Sequence, residues 1–101
     1  APQQVAVLPV SDRQTAHATE LADRMSVAGI RAEADLRNET LNYRVRAAET
    51  HKIPYVLVVG DREQESASVS VRRRHIPGQT VLPFDQFQMN IQEEIKTRGI
   101  S

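Results

Sequence analysis

Cysteine and tryptophan are absent from the 101 residues. The first absence excludes a disulfide scaffold, a thiolate metal site and thiol catalysis. Glycine is sparse: Gly29, Gly60, Gly78 and Gly99 stand far apart. Neither GxGxxG nor GxxxxGK followed by Ser or Thr can be written, which excludes the usual phosphate-cradling loops. Aromatic residues are only 4% of the chain, so a core has to be built from Val, Ile, Leu and Ala. No long hydrophobic run exists. The longest, residues 53–59, is too short to span a bilayer and contains Pro54, so no membrane partner is expected. Neither sign of charge dominates: 13 basic and 13 acidic residues give a formal net charge of +0. That balance excludes a globally basic nucleic-acid binder and leaves room for a local basic patch. No secretory leader is visible, and a cytoplasmic location is the expectation. The chain opens on Ala1-Pro2 rather than Met, and we read it as one domain, residues 1–101, cut from a longer polypeptide.

The hydrophobic content, 40%, is enough for one modest core. Residues 3–10 form an apolar run without alternation, the pattern of a strand buried on both faces. Ser11 with Gln14 three residues on reads as a capping box. Ala18, Leu21, Met25 and Ala28 then recur at helical spacing, and Gly29 stands where a left-handed stop belongs. Residues 30–36 alternate as a half-exposed strand. Asn38 or Thr40 can cap a second helix with the apolar face Leu41, Val45 and Ala48. Residues 53–59 are a third strand, dense in β-branched side chains. Val69 and Val71 alternate with Ser68, Ser70 and Arg72 as a fourth strand. No helical pattern separates it from the third, so the two are expected to form an antiparallel hairpin. Pro77-Gly78 predicts a turn and residues 80–82 a short fifth strand. Pro83 suits a first helical turn. Phe84, Phe87, Ile91 and Ile95 mark a last helix stopped by Gly99. The expected fold is therefore α/β, a mixed five-stranded sheet flanked by three helices. Its two crossovers require a parallel core. In such sheets ligands sit outside the carboxyl ends of the parallel strands, here residues 9–12, 37–39 and 60–63.

Catalytic chemistry is hard to place there. Asp12 and Asp61 lie near two strand ends, but the only lysines are Lys52 and Lys96, which argues against a receiver-type phosphoacceptor. Capping and turn roles suit both aspartates. His17, His51 and His75 fall in three elements without an i, i+4 partner, so no metal site is expected. Glu33 and Asp35 share a strand face and read as solvated carboxylates. No serine sits in a nucleophile elbow, and no catalytic residue is assigned. What stands out is arginine: of the 13 basic residues only two are lysine. Arginine suits forked recognition of phosphate or base edges and stacking on bases. Arg37, Arg44 and Arg46 surround the second helix, and Arg72-Arg73-Arg74-His75 is the densest positive run. Composition leaves two readings open, a solvated charged surface or a nucleic-acid surface.

The string Ala34-Asp35-Leu36-Arg37-Asn38-Glu39 resembles one family. So do Tyr43-Arg44-Val45-Arg46, Ile53-Pro54-Tyr55, Val58-Val59-Gly60-Asp61-Arg62-Glu63 and Val69-Ser70-Val71-Arg72. Together they resemble the C-terminal anticodon-binding domain of threonyl-tRNA synthetase, a class II aminoacyl-tRNA synthetase. The resemblance covers nearly the whole chain. It implies an anticodon-binding-domain fold that reads the second and third anticodon bases of threonine tRNA. Carried over position by position, it implies Asn38, Glu63 and Arg72 as base readers and Arg46 as a supporting contact. Arg37, Arg44, Arg73 and Arg74 remain as possible phosphate contacts. A carboxylate such as Glu63 can accept the N1–H and N2–H donors of guanine, an arginine such as Arg72 can serve acceptors on another edge, and Asn38 can pair with uracil. The resemblance implies no cofactor in this domain. ATP, magnesium and zinc are expected only in a catalytic part elsewhere, and the parent is expected to be a cytoplasmic homodimer that ligates threonine to its tRNA. Two departures from the family pattern are Asn42, where many relatives have glycine, and residues 80–83, which lack the usual Ser or Asp cap. The alternatives are the corresponding domain of a prolyl-, histidyl- or glycyl-tRNA synthetase, a non-catalytic protein-interaction module on the same fold, and a small-molecule enzyme on a flavodoxin-like sheet.

Overall fold

A computed structural model describes residues 3–74 and 76–98. The order is β1 (Val5–Pro9), a 3₁₀ turn (Asp12–Gln14), α1 (Thr15–Val27), β2 (Ala32–Ala34), α2 (Leu41–Thr50), β3 (Tyr55–Val59), α3 (Asp61–Ser66), β4 (Ser68–Arg73), β5 (Thr80–Pro83) and α4 (Phe84–Arg98). The strands form one sheet in the order β2-β1-β3-β4-β5. β1 pairs in parallel with β2 and β3, whereas β3–β4 and β4–β5 are antiparallel. The mixed sheet expected from the two crossovers is therefore present.

This strand order fixes the layers. The chain moves from β1 outward to β2 and then back past β1 to β3. Right-handed crossovers in opposite directions put their helices on opposite faces. On one face α1 and α4 pack Leu21, Met25, Phe84, Phe87 and Ile91 against Val5, Val7, Tyr55, Leu57, Val59, Val69 and Val71. On the other, α2 packs Ala48 against Ala6, Leu8, Ile53 and Val56, with Leu41, Val45 and Val58 at the margin. That second layer is much smaller. It covers β1 and β3, and the hydrophobic cluster on that side includes no β4 or β5 residue among those described. Among the described residues of that face, Ser68 and Ser70 of β4 are buried and Val81 and Pro83 of β5 are exposed.

Three local expectations change. Residues 61–66 are a helix, α3, rather than a plain hairpin tip. It buries none of its side chains, so the apolar periodicity that reveals longer helices is silent. Its start is set by polar chemistry: Gly60 N donates to Glu63 Oε1 at 2.7 Å, a reach-back that satisfies an orphan first-turn donor. Its end is Ala67, at φ +53°, a left-handed stop filled here without glycine. The sheet is thus flanked by four helices, three long and one short. Second, β2 is shorter than the alternation of residues 30–36 suggests. Asp35 N still donates to Val7 O at 2.9 Å, but beyond it the chain bends toward α2. Third, Pro83 closes β5, opposite Ser68, instead of opening α4. The expected Ser11–Gln14 capping box forms, with Ser11 N and Oγ both donating to Gln14 Oε1. It caps the 3₁₀ turn that leads into α1. Gly29 takes the expected left-handed conformation, φ +89°; the helix stop assigned to Gly99 lies outside the described residues.

Candidate nucleic-acid interface

The three segments at the carboxyl ends of β1, β2 and β3 are tied together by a chain of polar contacts. Val10 N donates to Val59 O at 2.9 Å. Gln14, 1% exposed, donates Nε2–H to Asp61 Oδ1 at 2.5 Å, and Arg13 pairs with Asp61 at 3.0 Å. The turn after β1 therefore fixes the start of α3, and with it Glu63. Gly60 closes the corner: a Cβ there would meet Glu63 Oε1 at 3.2 Å and Val10 Cγ2 at 3.3 Å.

The β2–α2 loop is fastened by Arg44. Its guanidinium, expected at a phosphate, is instead inside the fold at 5% residue exposure. Nη2 donates to Pro9 O at 2.9 Å and Nη1 to Asp35 O at 3.0 Å. Two unpaired carbonyls at a strand end suit the fork of an arginine. The sequence holds the clue. Arg44 falls in phase with Leu41, Val45 and Ala48, so its stem shares the buried stripe. Composition and motifs assign Gln14 only a capping role and Arg44 only a phosphate role; the bracing contacts of both across the site are new.

Asn38 lies exposed in that loop. Thr40 caps α2, accepting from Tyr43 N at 3.1 Å, which frees Asn38 from the capping role. Arg37 is also committed locally. It grips Asp35 through Nε at 2.9 Å and Nη2 at 2.7 Å, and its guanidinium lies 5.6 Å from the Tyr43 ring centroid. The Arg37 hydrogen bonds hold the Asp35 carboxyl below its ordinary value against the opposing effect of burial. Arg46 is exposed on α2.

The two neighbouring strand arginines part company. Cross-strand register sets Arg72 beside Val56 and Ser70 beside Val58, the α2 side of the sheet. Val81, opposite Ser70, continues that row and is 58% exposed. Arg72, half-buried, thus belongs to this face, a shelf exposed at β5 and buried at Ser68 and Ser70. Arg73 lies on the other face, 5.2 Å over the Tyr55 ring and 3.5 Å from Glu94 of α4. Tyr55 Oη also donates to Glu94. The Arg73 guanidinium, expected at a phosphate, therefore already has a carboxylate and an aromatic face beside it. Arg74 is half-buried at the strand end, where its N donates to Pro54 O at 3.0 Å. His75 lies outside the described residues.

Glu63 and Arg72 do not touch. Arg72 sits four strand residues before the level of Gly60, about 13 Å along β3. The site so assembled has a carboxylate at the corner, an exposed amide on the adjacent loop, and a partly open sheet face carrying an arginine. Among the described residues no group of three or more His, Cys, Asp or Glu could hold a metal ion. None of their helices is long and apolar enough to cross a membrane.

The family described as "Anticodon binding domain" matches residues 4–94. The chain belongs to that family. This anticodon-binding domain is 44% identical over 100 residues to a threonine–tRNA ligase of Desulforamulus reducens, covering 99% of the chain and 16% of that protein. It is 46% identical over 100 residues to one of Thermus thermophilus, covering 99% of the chain and 15% of that protein. The domain thus spans about a sixth of the length of these relatives. Among solved structures, the RNA-binding domain of a threonyl-tRNA synthetase from Cryptosporidium parvum superimposes with TM-score 0.85 at 26% identity, over 92% of this chain and 24% of that one. A histidyl-tRNA synthetase from Nostoc shares the fold, with TM-score 0.86 at 17% identity over 94% of this chain and 23% of that one. The relatives named threonine–tRNA ligase, at this identity and coverage, favour the threonyl branch over the prolyl, histidyl and protein-interaction alternatives.

Proposed function

We propose that this domain reads the second and third anticodon bases of threonine tRNA for an ATP-dependent ligase that joins threonine to it. The observation that carries the reading is the partly open α2-side face of the sheet, bordered by Glu63, Asn38 and Arg72, in a chain about 45% identical to threonine–tRNA ligases. Single-stranded loop bases can be splayed onto such a surface and read along their edges. Glu63 accepts the guanine N–H donors through Oε2, which takes no hydrogen bond from any described residue, while Oε1 caps α3. Arg72 donates to acceptors at another edge of the same base. Asn38, with donor and acceptor on one amide, pairs with the third base, a uracil. Arg46 supports the loop backbone, and Arg74 is the remaining candidate for a phosphate. The catalytic domain of the ligase is the covalent partner, a second ligase subunit completes a homodimer, and the assembly works in the cytoplasm. ATP, magnesium and zinc serve that catalytic domain.

The test is a titration with anticodon stem-loops, matched or altered at the second or third base. Each altered base should weaken binding by roughly 5- to 150-fold, the cost of about 1–3 kcal/mol for a lost bidentate contact. Equal affinity for all three loops refutes the reading.

A further inference from the structure

Tyr43 is unexplained by the residues above. It is a large aromatic side chain, 52% exposed, in the first turn of α2. Its backbone N–H is already satisfied by Thr40, and neither hydrophobic cluster includes it. What it has is the Arg37 guanidinium against its ring. That guanidinium is itself held at two points by Asp35, and the Asp35 carbonyl is held by the buried Arg44. The ring is therefore set on a braced support although it faces solvent. Its location relative to the readers is also defined. Tyr43, Ala47 and His51 follow one another at i, i+4, and Ala47 and His51 line a groove with Asp35, Arg37 and Glu33. This side of α2 faces the β2 edge of the sheet. The Arg72 shelf lies on the opposite side, beyond β3, and Asn38 stands in the loop at the N-terminal end of the helix between them.

We infer that Tyr43, backed by Arg37, is a stacking platform for the nucleotide immediately 3′ of the anticodon. The inference rests on the proposed function. If the second base sits between Glu63 and Arg72 and the third at Asn38, the strand runs from the shelf past the helix end toward the β2 edge. The next base arrives at Tyr43. An exposed aromatic braced by a guanidinium is the chemistry that takes a splayed base by its face, and it does so without regard to base identity. The Arg37 charge adds to the attraction but is shared with Asp35, so the platform works by stacking rather than by phosphate capture.

Binding of the whole 101-residue chain to stem-loops tests this. Tyr43→Ala should weaken the matched loop by roughly 5- to 150-fold, as expected for one lost base–aromatic stack. Tyr43→Phe should bind as the unchanged protein does. The slope of log K against log salt should stay the same in both variants, since stacking releases no counterions. A loop made abasic at the nucleotide 3′ of the anticodon should bind as weakly to the unchanged protein as the intact loop binds to Tyr43→Ala, and should lose nothing further with that variant. An equal Tyr43→Ala loss on intact and abasic loops, or no loss on either, overturns the platform. Discrimination at the second and third bases is read in the same experiment. If it persists while the Tyr43 effect is absent, only the platform fails. If the unchanged protein ignores those bases, the anticodon reading fails with it.

Discussion

Replacing Arg44 by methionine keeps an unbranched apolar stem and removes the guanidinium. Two carbonyls lose their donors, Pro9 O at 2.9 Å and Asp35 O at 3.0 Å. The bond to Pro9 is buried, so that oxygen has no route to water. Its loss falls within the range for a bond to a charged group, about 2 kcal/mol. The Asp35 carbonyl is only partly buried and can be rehydrated, which brings its share to about 1 kcal/mol. Releasing the charge from a buried position returns some of this. A net loss on the order of 2–3 kcal/mol is expected, which for a domain of this size lowers Tm by roughly 8–24 °C. Urea and thermal unfolding followed by circular dichroism measure both quantities. Arg44→Lys should recover only part, because one ammonium cannot span both carbonyls in the arginine geometry. Unchanged stability in Arg44→Met, with a flatter salt dependence of RNA binding, refutes the reasoning and restores Arg44 as a phosphate contact.

Glu63→Gln keeps an oxygen for the Gly60 N–H and removes the charge offered to guanine. It should leave Tm nearly unchanged and reduce affinity for the matched loop more than for a loop lacking that guanine, as read by parallel titrations. Arg72→Ala should abolish discrimination at the second base, whereas Arg73→Ala should leave both discrimination and the salt slope unaltered, its charge being committed to Glu94. Arg74→Ala should weaken all loops alike and lower the salt slope by roughly 0.7. Asp35 has a lower pKa folded than unfolded, chiefly through Arg37. Its contribution is therefore fully present above about pH 4 and lost as the pH falls through the lowered value. The stability difference between the unchanged chain and Asp35→Asn should accordingly narrow from pH 6 to pH 3 in urea melts.

The parallel core was legible because each of its strands is apolar for a physical reason. β1 has every residue buried, and β3 lies between β1 and β4. The long helices were legible through their stripes. α3 was not, since a helix of six residues with no buried side chain leaves only its capping chemistry to read. The carboxyl ends of the parallel strands lie at one edge of the sheet as the crossover rules require, and the segments carrying Asn38 and Glu63 follow from there. The fates of the arginines were not legible from their number. Arg44 and Arg46 are two residues apart on one helix, yet one is buried against carbonyls and the other exposed. Arg72 and Arg73 are adjacent, yet strand alternation sends them to opposite faces. Phase relative to the apolar pattern, rather than charge, decides between bracing and binding.

The central claim is spatial: RNA meets the carboxyl-end loops and the α2-side face of the sheet, and leaves the α1–α4 face alone. Backbone amide chemical shifts recorded while an anticodon stem-loop is added test it residue by residue. The account predicts changes at Arg37, Asn38, Tyr43, Arg46, Glu63, Ser70 and Arg72. It predicts none at Ala18, Arg24, Gln88 or Glu94. Shifts concentrated on α1 and α4 would contradict it.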